Sequence, residues 1–289
     1  MSASIIALVL LSAALHPLRE FFIKGDQSPE AVTFAVILVF GLLSSIHVLV
    51  SGVDPWSAFA VWPMVLVSAF GVAAYYLCVL GTLRTGDLSI YYPITRSSPI
   101  FVVVFGYLVL GQTYSAVLLL GIALVIVGAF MLQYRRGASF FAQPLTLTFA
   151  ILAMCAHGVI TLADAKAMEK VEPMAFLFLL YLLLVPLTGA IFICLRPKKV
   201  SIYHHLISGW LRTPVRFLFA GTASYVSYYL ILTAFQLGAN VAAVSAVRQV
   251  SIPFSVLLGC LILKEERMTG RLAWSILLAL GVVVIMVSD

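Results

Sequence analysis

The sequence predicts an all-α integral membrane protein: ten transmembrane helices arranged as two inverted five-helix repeats. Three observations carry this. Of 289 residues, 63% are hydrophobic and only 10% charged, against about 25% charged in a soluble domain. The apolar runs are roughly 20 residues long, the length that crosses a bilayer as a helix. The two halves share a sequence pattern, and with five segments each they must enter the membrane from opposite sides.

A chain this apolar could not cover its own surface in water, so the bilayer is its solvent. Backbone groups in hydrocarbon must pair internally, which leaves helices or a closed barrel. Barrel strands would read as alternating segments of about 10 residues; these runs do not alternate. The segments span approximately 4–22, 31–51, 58–83, 88–110, 114–134, 145–165, 173–195, 215–237, 240–263 and 270–288. Turn-forming stretches such as "KGDQSPE", "SGVDPW", "RTGD", "LGQT", "LGAN" and "KEERMTG" separate them. The start, "MSASIIALVLLSAALHPL", lacks the basic region of a signal peptide and is expected to be a retained helix. Cys78, Cys155, Cys194 and Cys260 have no metal spacing and are expected to be small buried hydrophobes.

Charge orients the segments. Arg19, Lys24, Arg84, Arg135, Arg136, Arg196, Lys198, Lys199, Arg212, Arg216, Lys264, Arg267 and Arg271 fall in loops on one side. Only Lys166 and Lys170 fall on the other. Positive loops stay inside, so a multi-pass protein of the cell (inner) membrane with both termini extracytoplasmic is expected. The net charge of +6 reports this orientation and no nucleic-acid partner, because no basic tract with interleaved aromatics exists.

The repeat is visible in residues. "YYLCVLGTLRTGD" from Tyr75 matches "YYLILTAFQLGAN" from Tyr228, and Gly128 and Gly281 have the same separation. "SAALHPL" around His16 matches "AMCAHGV" around His157. Arg96 precedes Pro99 as Arg248 precedes Pro253. The halves are therefore expected at 1–137 and 144–289. Matching loops carry opposite charge: Arg84 follows segment 3 while "LGAN" follows segment 8. Inverted repeats of this kind are typical of secondary transporters, whose site lies at the midplane between the repeats.

Two five-helix repeats, with a Pro-containing fourth helix ending in a short polar turn, resemble the drug/metabolite transporter superfamily in its EamA-like ten-helix branch. The turn often written Gly-Glu in that family stands here as Gly111-Gln112 and Glu265-Glu266. The resemblance implies architecture over the whole chain but no particular substrate. Members of the branch are commonly drawn with both termini in the cytoplasm; the charge distribution here gives the reverse.

Arg96 and Arg248 are the first candidates for a substrate site. Arginine at the bilayer centre costs roughly 3 kcal/mol on insertion scales. Each arginine either satisfies carbonyls freed at Pro99 or Pro253, or forms a cationic wall for a carboxylate, phosphate or phosphonate. His16 with Glu20, and His157 with Asp164, each share a helix face. These pairs read either as proton-coupling groups or as interhelical hydrogen bonds and interfacial ion pairs. Tyr76, Tyr228 and Tyr229 lie deep in their segments and need partners for their hydroxyls. Tyr91 and Tyr92 read as belt residues near a helix start, with Tyr92 also a pocket candidate. Gln249, beside Arg248, is a further polar candidate.

Enzyme signatures are missing: the sequence has no HExxH, GxSxG or Walker-type loop. No cofactor or metal is expected. The expected partners are a small-molecule substrate and the lipid bilayer, and a homodimer is compatible with the chain. The sequence therefore points to a secondary transporter for a small anionic or zwitterionic metabolite. A flippase for a phosphate-bearing lipid, or an exporter of aromatic or amine compounds, is the alternative. A reporter fused to the C-terminus checks the orientation: activity is expected only from an extracytoplasmic reporter, and cytoplasmic activity would overturn the charge-based topology.

Overall fold

The computed structural model describes residues 2–23, 29–85, 88–134, 140–196, 200–207, 211, 213–254 and 268–288. Most of these residues are helical, with no strand among them. The helices of the first half are α1 (Ala3–Ile23), α2 (Pro29–Ser51), α3 (Trp62–Thr85), α4 (Leu88–Thr95), α5 (Ser98–Leu108) and α6 (Ala116–Gln133). Those of the second are α7 (Pro144–Met168), α8 (Pro173–Leu195), a short α9 (Ile202–Leu206), α10 (Pro214–Gln236), α11 (Val241–Val247) and α12 (Met268–Val287). Five stretches are long and apolar enough to cross a membrane: Pro29–Ser51, Pro55–Thr85, Pro144–Met168, Pro173–Leu195 and Pro214–Gln236. Shorter apolar helical stretches cover Ala3–Pro17, Ala116–Leu132, Val241–Phe254 and Ala273–Val287. Large apolar side chains face outward, as at Leu49, Phe70 and Val104. A surface so apolar belongs against lipid.

Local chemistry sets the ends. Proline opens α7, α8 and α10, where its missing N–H is one the helix start could not pair anyway. Ser115 caps α6 by accepting from the Leu118 N–H at 3.1 Å, and Asn240 caps α11 by accepting from the Ala243 N–H at 3.1 Å. After α5 the chain turns at Gly111, whose φ of 64° lies in the left-handed region that favours glycine.

The fourth apolar segment is not one helix. It breaks between α4 and α5, with Arg96 and Ser97 at the break. Pro99 has no N–H to give the Thr95 carbonyl, so the i-to-i−4 ladder cannot pass through. The Ser97 N–H turns to the Ile94 carbonyl at 3.0 Å, and its hydroxyl donates to the Pro93 carbonyl at 2.7 Å. The ninth segment is interrupted too, by a tighter turn and not by a gap in the helix. Helix α11 stops at Val247, and a 3-10 turn runs over Arg248–Val250 before residues 251–254 turn helical again. The remainder of the expected span 240–263, and Glu265 and Glu266, lie outside the described residues.

Packing pairs the halves. Helix α3 runs along α7 and α1 along α10; α2 packs on α8 and α6 on α12; α2 also touches α10, and α3 touches α8. The α6–α12 contact is backbone to backbone. A Cβ at Gly281 would stand 2.7 Å from the Val125 nitrogen and 2.8 Å from the Gly121 carbonyl oxygen. One at Gly128 would stand 2.8 Å from the Leu278 nitrogen. Small residues let helices approach this closely in lipid, where no hydrophobic effect drives them together. The cysteines are less uniformly buried than expected: Cys78 and Cys155 are half-buried, while Cys194 lies on the exposed face, because the lipid-facing side of α8 also favours a small apolar group.

Gly281→Val is expected to separate α6 from α12 and cost about 1–3 kcal/mol. A lowered melting temperature and aggregation on size-exclusion chromatography in detergent would register it; wild-type behaviour on both would refute the close-packing account.

Candidate functional site

The two helix breaks face each other across the centre of the fold. A polar cleft there is lined by Tyr75, Thr95, Arg96, Ser98, His157, Ser245, Arg248 and Gln249. A second, adjoining space lies among Pro93, Arg96, Ser97, Ile126, Ala129 and Gln249. Broken helices explain the position: unwound turns can present polar groups at membrane depth only where they line a cavity.

Arg96 is held on several sides. One guanidinium nitrogen contacts His16 Nε2 at 3.0 Å, and another donates to Ser251 Oγ at 2.5 Å. Arginine can only donate, so His16 Nε2 is the acceptor and its proton is on Nδ1. The Tyr92 ring lies 5.9 Å from the guanidinium carbon, within cation–π range.

Arg248 differs. Among the described residues, no hydrogen bond or ion pair involves its side chain. It lies within electrostatic reach of Asp164, Tyr228, Tyr75 and Arg96. Its neighbours bond elsewhere: His157 Nδ1 lies 2.9 Å from Ser98 Oγ, and Tyr75 packs on the His157 ring at 5.5 Å. Gln249 is 5% exposed; its Nε2 donates to the Ser245 carbonyl at 3.5 Å, while its Oε1 is buried with no partner among the described residues.

Asp164, 2% exposed, lies behind the cleft on α7. Ser68 of α3 donates to its Oδ1 and Tyr228 of α10 to its Oδ2, each at 2.5 Å. Hydrogen bonds to a charged acceptor are roughly twice as strong as neutral ones, so this carboxylate joins three helices.

The structure thus brings Arg96, Arg248, His16, His157, Tyr92 and Gln249 together, with Tyr228 and Asp164 one layer behind. It does not bring all candidates there. Tyr76 packs against Tyr75 with the rings tilted and their centroids 5.6 Å apart, and it does not line the cleft. Tyr229 packs against His47 at 4.8 Å, on the α2 side. Tyr91 is not a belt residue: it is 1% exposed, with its hydroxyl donating to the Gln143 carbonyl at 3.5 Å, because α4 packs inward against α7. The side chain of Glu20 lies outside the described residues. Sequence reasoning missed Ser68, Ser98, Ser245 and Ser251. Serine in a membrane helix commonly bonds its own backbone, and only the fold reveals which ones reach across.

Residues 3–134 match the model of the EamA-like transporter family. The first part of the chain is similar to that family. The description of that family is one of transporters, and the match covers just under half of the chain. No curated protein matches the chain. A crystal structure described only as that of a protein is similar at a TM-score of 0.79 and 15% identity, covering 98% of this chain and 96% of that one. At that identity the two share the fold alone. The EamA-like match ends within α6 and its following residue, so the arginine-bearing break between α4 and α5 lies inside it.

Tyr228→Phe is expected to remove one of the two donors to Asp164 and lower stability by about 1–3 kcal/mol. A fall in detergent melting temperature, matched by Ser68→Ala, would register it; an unchanged melting temperature in both variants would rule out a structural role for these bonds.

Proposed function

We propose that the protein is a secondary transporter moving a small anionic or zwitterionic metabolite by alternating access. The observation that carries this reading is Arg248, a guanidinium with no hydrogen-bond partner among the described residues, lining a cleft where Arg96 adds a second positive charge. A carboxylate, phosphate or phosphonate supplies the acceptors such a group needs, and supplies them bidentately. The Gln249 Oε1, which has no partner among the described residues, favours a ligand that also carries a donor, as a zwitterion does. Tyr75 offers an aromatic face for a cationic end.

The reading takes the chain as ten spans in two inverted repeats, 1–137 and 144–289, with both termini extracytoplasmic in the cell (inner) membrane. The packing pairs support it. Exchanging the halves turns the α3–α7 pair into the α10–α1 pair and returns α2–α8 and α6–α12 to themselves. The opposed helix breaks fit a midplane site between rocking repeats. No nucleotide-binding signature occurs in the sequence, so a gradient or exchange supplies the energy, with Asp164 and Glu20 as the carboxylates available for proton coupling.

Reconstituted protein is expected to move small carboxylates, amino acids or phosphonates across vesicles, with flux reduced to background in Arg248→Ala and Arg96→Ala. Wild-type flux in Arg248→Ala would overturn the assignment. Movement of a phosphate-bearing lipid, or of amines without an anionic group, in place of small anions would favour a flippase or an amine exporter.

A further inference from the structure

The two arginines stand in matched settings that are closed differently. Arg96, His16 and Ser251 form one set. Their counterparts in the other half are Arg248, His157 and Ser98, matched by the repeat that aligns His16 with His157 and Arg96 with Arg248. In the first set the arginine is the hub, bonded to both histidine and serine. In the second set the histidine and serine bond each other at 2.9 Å, and the arginine is left out. Partners of the same kind line the same cleft as Arg248, so its freedom does not reflect a lack of suitable neighbours.

Resting on the transporter reading above, we infer that the arginines divide the work in this conformation: Arg248 receives the anionic group of the ligand, and Arg96 is a positioning residue that ties the break between α4 and α5 to α1 and to the break after α11. Three features support the division. Ser251 is 1% exposed, so drawing the Arg96 guanidinium away toward an anion would take a donor from this buried hydroxyl. His16 and Ser251 lie on different segments, so the Arg96 hub links elements that no backbone bond joins. The Arg248 side chain has no hydrogen bond to give up among the described residues, whereas turning the Arg96 guanidinium out toward a ligand breaks its bonds to His16 and Ser251, and losing bonded partners is costlier than filling empty donors. Arg96 still contributes positive potential to the cleft.

The division is tested by thermal melting of the full-length protein in detergent, with acetate and inorganic phosphate as probes against chloride at matched ionic strength. Wild type is expected to be stabilised by the anions. Arg248→Gln is expected to melt at or above the wild-type baseline but to need at least about tenfold more anion for the same stabilisation. Arg96→Gln should show the opposite pattern: a baseline lowered by about 5 °C, and an anion response weakened less than in Arg248→Gln. Ser251→Ala keeps both charges, and is expected to lower the baseline by less and leave the anion response intact. A full anion response in Arg248→Gln, or a lost response at unchanged baseline in Arg96→Gln, would overturn the division while sparing the anion reading. A wild type that responds to neither anion would overturn the anion reading and the division with it.

Discussion

Holding guanidinium groups inside an apolar body is the constraint on which this architecture depends. An arginine at membrane depth is tolerated only with polar company, and continuous helices offer little, since their carbonyls are used in their own ladders. The chain meets the need by breaking two helices where the arginines sit. Pro99 removes the N–H that would have carried the first helix onward, and Ser97 covers the Pro93 carbonyl with its hydroxyl. The break creates the cleft, and the cleft gives the arginines somewhere to point.

Around the breaks, the remaining helices act as a frame. The α3–α7 and α1–α10 pairs flank the cleft. Each is pinned by polar contacts suited to a medium without water. Ser12 and Ser227 exchange hydrogen bonds between α1 and α10, each hydroxyl donating to the other residue's carbonyl at 2.7 and 2.9 Å. Ser68 and Asp164 join α3 to α7. The two pairs differ in chemistry, and so do the arginines: both line the cleft, but Arg96 is hydrogen-bonded to His16 and Ser251, while the Arg248 side chain has no hydrogen bond among the described residues.

Much of the helix layout was legible in the sequence because lipid imposes a simple rule. Apolar runs of bilayer length separated by Gly, Pro and Asn turns have few other ways to satisfy their backbones, and α2, α7, α8 and α10 start and end within about three residues of the expected positions. The arginines and histidines of the site were legible too, since ionisable groups in such runs are expensive and stand out. Tyr91 and Tyr229 were not: a tyrosine in an apolar run suits a belt, a core or a pocket equally, and only helix rotation separates them. The bridging serines left no signal, because their partners are distant in the chain.

What the sequence by itself determined is the helical membrane body, the presence of Arg96 and Arg248 inside apolar runs, and the prolines that follow each of them. Local chemistry suffices for these, since hydropathy, proline geometry and charge act within a few turns. Tertiary structure alone decided which arginine is engaged and which is free. That depends on whether His16 and Ser251, or His157 and Ser98, find the guanidinium or each other, and contacts of this length are set by how the helices pack, with distances of an ångström or two deciding whether a hydrogen bond exists at all.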